Sequence, residues 1–170
     1  MEFKGKAHKF GDDINTDYIM SSRHRTQTLD YVKLAEHLME DIRPGFFSQV
    51  RAGDFIVAGE NFGCGSSREY APRIVKAGGI AAVIAKSFAR IFYRNAINLG
   101  LPLVECDTDQ IDEGDTLRVD LLKGEVYNET LGRRIQAGPM PEFMITLLNE
   151  GGTANYLRKY GRFHVPKVQG

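Results

Sequence analysis

Apolar and polar residues alternate through residues 2–10, which predicts a first strand ending at the turn signal Gly11-Asp12-Asp13. Residues 12–27 show little periodicity and are rich in Asp, Asn, Thr, Ser and Arg, as expected of a functional loop rather than core. A spacing of three and four returns at Leu34, Ala35, Leu38 and Met39, so residues 29–39 are expected to be helical, with Pro44-Gly45 as the stop. Short apolar and amphipathic runs then take turns. Residues 54–58 read as a strand, 59–65 as a glycine-rich turn, and 66–77 as a helix halted by Gly78-Gly79. The pattern repeats with a strand at 80–85, a helix at 87–99 whose core positions are Phe88, Ile91 and Phe92, a stop at Gly100, and a strand at 101–105. Such alternation predicts a parallel sheet with right-handed crossovers. Residues 116–121 and 125–130 pair as a hairpin around Lys123-Gly124, and helices follow at 141–149 and 153–160. The expected class is α/β, a mainly parallel central sheet with helices packed on it and antiparallel additions, in a single domain over residues 1–170.

Composition narrows the picture. A chain of 170 residues can bury a core without disulfides or structural metal, and 42% hydrophobic with 26% charged residues excludes a disordered chain. Lys+Arg and Asp+Glu balance at 22 each, so the basic footprint of nucleic-acid binding is missing. Cys64 and Cys106 form no C-x-x-C, and His8, His24, His37 and His164 show no metal-ligand spacing; no metal is expected on this chain. No apolar run has the length of a signal core or membrane span, and a cytoplasmic, reducing location is expected.

The candidate chemistry lies where the second strand hands over to a helix, at Phe62-Gly63-Cys64-Gly65-Ser66-Ser67-Arg68-Glu69. Open α/β sheets bind ligands at such strand ends. Gly63 and Gly65 let backbone approach a ligand, free N–H groups at the helix start face an anion, and Arg68 offers a planar fork for a carboxylate. Ser66 and Glu69 also satisfy the capping-box pattern, so an anion site and a plain helix cap both remain open. Pro72 bears on the choice: the helix either kinks there or begins nearer Ala71, which leaves both serines in an exposed loop. Nucleotide and hydrolase templates fail. A phosphate loop needs Gly-Lys-Ser/Thr, a dinucleotide turn needs glycine where Arg68 stands, and a nucleophile elbow needs glycine where Glu69 stands. Cys64 reads as a small, partly buried thiol rather than a nucleophile. Asp13-x-Asn15-x-Asp17 opens like a calcium loop, but Tyr18 and His24 occupy the required glycine and glutamate positions.

Residues 61–69, together with Ala85-Lys86-Ser87-Phe88-Ala89-Arg90-Ile91-Phe92-Tyr93-Arg94-Asn95-Ala96-Ile97-Asn98, resemble the small subunits of isopropylmalate dehydratases and homoaconitases in the aconitase superfamily. The Asp12-Asp13-Ile14-Asn15-Thr16-Asp17 segment and Gly151-Gly152 fall where that family has them, so the resemblance spans nearly the whole chain. It implies a swivel-type β/β/α domain that is inactive alone and docks on a large partner subunit carrying a [4Fe–4S] cluster, because this chain lacks the three cysteines such a cluster needs. The implied substrate is a small hydroxy di- or tricarboxylic acid, dehydrated and rehydrated so that its hydroxyl moves to the adjacent carbon.

By the same resemblance Ser66 is the base that takes the carbon-bound proton, with Arg68 as its partner and Ser67 among the substrate contacts. Thr16 and Asp17 line the active-site edge. The Ser21-Ser22-Arg23-His24-Arg25-Thr26 segment closes over the variable substituent of the substrate, and Arg25 in it departs from the most apolar isopropylmalate-type loops. Homoaconitate and 2,3-dimethylmalate therefore stay open beside isopropylmalate, as does a solvated Arg25. A stand-alone carboxylate-binding module is the alternative of another class. Arg90 and Arg94, four apart on the helix after Ser87, face either the partner subunit or acids on their own surface, an exposed charged helix face being the expected reading.

Overall fold

A computed structural model describes residues 1–25, 28–66 and 69–163. Its strands are β1 (Glu2–Lys9), β2 (Phe55–Val57), β3 (Ala82–Ala85), β4 (Leu103–Glu105), β5 (Thr116–Asp120), β6 (Glu125–Asn128) and β7 (Arg133–Gln136). Its helices are α1 (Thr16–Ile19), α2 (Ser22–Arg25), α3 (Tyr31–Ala35), α4 (Phe46–Gln49), α5 (Tyr70–Ala77), α6 (Arg90–Asn98), α7 (Glu142–Asn149) and α8 (Thr153–Tyr160).

The strands form one seven-stranded sheet in the order β4-β3-β2-β1-β5-β6-β7. β1 to β4 pair in parallel, whereas β1–β5, β5–β6 and β6–β7 are antiparallel. The expected α/β class is what the structure has, with the antiparallel part as extensive as the parallel one. β1 is the hinge of this arrangement: Glu2 to Lys6 pair with β5, and Ala7 to Lys9 pair with β2 on the other edge. β2 and β3, in the middle of the parallel part, are apolar throughout because both of their faces are covered. Ile56, Val83 and Ala85 join one core with Leu34, Leu38, Phe62 and Ile74, while Phe55, Val57, Ala82 and Ile84 join a second core with Leu117, Val126 and Leu148.

Local chemistry explains where the expected elements shift. The helix foreseen from Ser66 starts only at Tyr70, which places Pro72 in the first turn, where its missing N–H has no intrahelical partner to lose. The helix foreseen over residues 29–39 shortens to α3, capped by Asp30, whose carboxylate accepts from the Val32 amide at 2.9 Å. The chain is turned aside at Met39, a buried residue with a φ of 57°, whose amide donates to the Ile19 carbonyl at 3.1 Å instead of continuing a helix. The buried side chains there are still Leu34, Ala35, Leu38 and Met39, as the periodicity requires. Ile91 is a correction: it is 48% exposed, since α6 buries Phe92, Ala96 and Ile97 and leaves the preceding residue outside. The strand β7 was not expected, because Arg133, Arg134 and Gln136 leave Ile135 as its only apolar position.

Candidate active site

The C-terminal ends of β1, β2 and β3 lie side by side, and the loops that leave them are knitted together. The turn after β2 runs between the other two. On one side the Gly63 amide donates to the Ile14 carbonyl at 2.7 Å and the Thr16 amide to the Cys64 carbonyl at 2.9 Å, forming a parallel bridge between Asn15 and Cys64. On the other side the Phe62 amide donates to the Ser87 carbonyl at 3.0 Å and the Ala89 amide to the Phe62 carbonyl at 2.9 Å. The Ser87 hydroxyl accepts from the Asn61 amide at 2.8 Å. Two non-glycine residues in left-handed backbone, Asp13 (φ 52°) and Asn61 (φ 58°), are joined by a hydrogen bond from Asn61 Nδ2 to Asp13 Oδ1 at 2.8 Å. Strained backbone of this kind persists only where the surroundings hold it.

Glycine is required at the turn. Gly63 has a φ of 79°, and a Cβ there would lie 2.2 Å from Cγ of Phe92, so the bare backbone lets α6 pack directly on the loop. The result is a cleft of about 320 Å³ lined by Thr16, Gly63, Gly65, Ser66, Ala89, Arg90, Ile91, Phe92 and Asn95. Ser66 stands on its rim, exposed and four residues before α5, whose N-cap is Glu69. It does not cap that helix. The buried Thr16 hydroxyl donates to the Ser66 carbonyl at 3.0 Å and fixes the serine's backbone against α1.

Of the residues named from sequence, Ser66 and Thr16 meet at this cleft. Asp17 follows Thr16 in the first turn of α1 and is exposed. Arg25 ends α2. Ser67 and Arg68 lie outside the described residues. Sequence reasoning left Arg90 on a generic charged face, yet the structure lines the cleft with it. No local sequence signal marks it, because the contact of Phe92 with Gly63 that aims this face of α6 at the cleft joins segments distant in sequence.

Electrostatics separate this site from thiol chemistry. Burial, reinforced by the charge of Asp13, pushes the Cys64 thiol above its ordinary range, and burial raises Cys106 to about 12. A raised thiol is a poor nucleophile, in keeping with Cys64 as a small, partly buried side chain. His24 and His37, which sequence spacing left apart, come together on Glu40. His24 Nε2 lies 2.5 Å from one carboxylate oxygen and His37 Nδ1 lies 2.7 Å from the other, with the two rings stacked at 3.7 Å and 10°. A cation must lie in the plane of each imidazole that binds it, and two near-parallel stacked rings offer no common point. The Arg23 guanidinium also reaches Glu40, at 3.1 Å, so the group is an ion-pair clamp between α2 and the segment after α3.

A parallel sheet extended by an antiparallel one, with a glycine-opened serine turn where its parallel strands end, defines an aconitase-type α/β domain. Residues 46–108 match the family described as the aconitase C-terminal domain. The chain belongs to the family of 3-isopropylmalate dehydratase small subunits. It is 56% identical to 3-isopropylmalate dehydratase small subunit 2 of Archaeoglobus fulgidus, covering 95% of this chain and 98% of that one. It is 48% identical to small subunit 1 from Thermotoga maritima, with 97% and 99% covered. The crystal structure of 3-isopropylmalate dehydratase from Methanocaldococcus jannaschii superposes with a TM-score of 0.90 at 48% identity, covering 95% of this chain and 96% of that chain. No helix among the described residues is long and apolar enough to cross a membrane.

Proposed function

We propose that this chain, acting as one domain over residues 1–170, is the small subunit of a hydro-lyase that interconverts 2-isopropylmalate and 3-isopropylmalate by removing and re-adding water. The observation that carries this reading is the position of Ser66. It lies outside α5, on the rim of a cleft at the ends of the parallel strands, with its carbonyl held by Thr16. In the dehydration half, the Ser66 oxygen takes the carbon-bound proton, the electron pair of the C–H bond forms the double bond, and the hydroxyl leaves from the neighbouring carbon. Water then adds back with the positions exchanged.

A serine is a poor base unless its alkoxide is stabilised enough to form, which is the role proposed for Arg68 and the amides around Ser66 and Ser67. Asp17 orients an arginine at the edge, and Arg25 meets the variable substituent of the substrate. The [4Fe–4S] cluster is assigned to a large partner subunit, where it would supply a Lewis acid for the departing hydroxyl. The word "small" in the relatives' names supports such a partner.

The test is reconstitution. Purified with its larger iron–sulfur partner, the chain is expected to turn over 2-isopropylmalate, and neither chain alone should do so. Absence of turnover by the cluster-loaded pair, or tight carboxylate binding by this chain alone, overturns the reading in favour of a stand-alone binding module. Arg25→Val in the same assay is expected to damage homoaconitate turnover more than isopropylmalate turnover; equal effects remove Arg25 from specificity.

A further inference from the structure

We propose that Arg90 is a substrate-binding residue of this site, pairing with a carboxylate of the bound hydroxy acid. The inference rests on the reading of Ser66 given above and adds to it the group that holds one end of the substrate.

Arg90 opens α6, and its place beside Ser66 is fixed by backbone rather than by chance. Phe62 is bonded to both Ser87 and Ala89, so the entry to α6 is tied to the serine turn immediately before Arg90. Two residues further on, the ring of Phe92 packs on the bare Cα of Gly63, where a Cβ would lie at 2.2 Å. Phe92 also contacts Phe62 edge-on, at 5.3 Å between ring centroids. Arg90 and Ser66 thus sit on two segments that cannot move independently near the cleft.

Charge gives the ligand class. Among the described residues lining the cleft Arg90 is the only charged one; the others are Thr16, Ser66, Asn95, two glycines and apolar side chains. Ala89, Ile91 and Phe92 give the cleft an apolar wall beside the guanidinium, and a carboxylate would form a charge-assisted pair there. The guanidinium forms no ion pair with a described residue, unlike Arg23, Arg43, Arg73, Arg118 and Arg134, which all have acidic partners. An exposed arginine without a partner is often a solvated charge. Here it stands over a cleft holding the proposed base, and the exposed Ile91 beside it gives the rim an apolar edge suited to a branched alkyl substituent. A small carboxylate bearing an alkyl group is the ligand these groups fit.

Arg90→Met and Arg90→Lys variants, each reconstituted with the large subunit, test the assignment by saturation kinetics on 2-isopropylmalate and by titration of partner affinity. Arg90→Met should raise KM by about tenfold or more, as loss of a charge-assisted pair does, with Arg90→Lys recovering part of it and partner affinity unchanged. An unchanged KM overturns the proposal. So does a deficit that disappears when the large subunit is supplied in excess, because Arg90 would then be a docking residue. If the wild-type pair itself fails to turn over 2-isopropylmalate, the functional reading has failed; if it is active and Arg90→Met matches it, only the role of Arg90 has failed.

Discussion

Gly63 shows how one missing methyl shapes the site. Its φ of 79° and the 2.2 Å approach to Phe92 mean that Gly63→Ala must both strain the backbone and push α6 away. A loss of at least about 2 kcal/mol of stability is expected, read as a lower midpoint in urea denaturation with an unchanged slope. Ser66→Ala should behave oppositely. Because the N-cap of α5 is Glu69, the substitution removes no cap of that helix, and the urea midpoint should stay within about 0.5 kcal/mol of wild type while turnover falls by about 100-fold or more. The local residues left Ser66 divided between a helix cap, which Ser-x-x-Glu fits, and an anion-binding turn, while its role as base came only from the family resemblance. Only the late start of α5, foreshadowed by Pro72, separates the two readings. Arg90 was illegible for a different reason: its spacing marks a helix face, and nothing local says which face meets the cleft.

At the scale of elements, α2 is held by a clamp rather than by a core of its own. Glu40 receives Arg23, His24 and His37, and the neighbouring left-handed Met39 turns it toward them. Burial alone would push the Glu40 carboxyl up, but hydrogen bonds from His37 and Arg23 and the nearby histidine charge outweigh it and hold the group below the ordinary 4.5 of a glutamate. A depressed carboxylate contributes stability that is fully present above the unfolded value and lost as pH falls through the folded one. Glu40→Gln should therefore cost about 1 kcal/mol or less above pH 4.5, and its difference from wild type should shrink as pH drops below that value, measured by urea titration of both proteins. A pH-independent difference would show that the clamp acts through packing. The clamp was not readable from sequence because His24, His37 and Glu40 belong to segments separated by a loop, and the helix expected over residues 29–39 would have carried Glu40 elsewhere. Strands β2 and β3 were legible because fully buried strands are apolar on both faces, and β1 because its apolar and polar residues alternate. Edge strand β7 was not, since an exposed edge protected by arginines has too few apolar positions to register a period of two.

At the scale of the whole molecule, the proposal makes this chain half of a reaction centre. Its parallel strands present the Ser66 turn and its cleft at one end, and its antiparallel strands brace the other side of β1. The class of fold could be read from the alternation of strands and helices. The order of strands and the meeting of the loops after β1, β2 and β3 could not, because sheet neighbours are chosen by contacts distant in sequence. The central claim is that Ser66 moves the carbon-bound proton, and hydrogen exchange between substrate and solvent measures that step directly. In deuterated water the reconstituted wild-type complex should exchange the carbon-bound hydrogen that is removed on dehydration, while the Ser66→Ala complex, still binding substrate, should not. Exchange by Ser66→Ala at a rate near that of wild type would contradict the account.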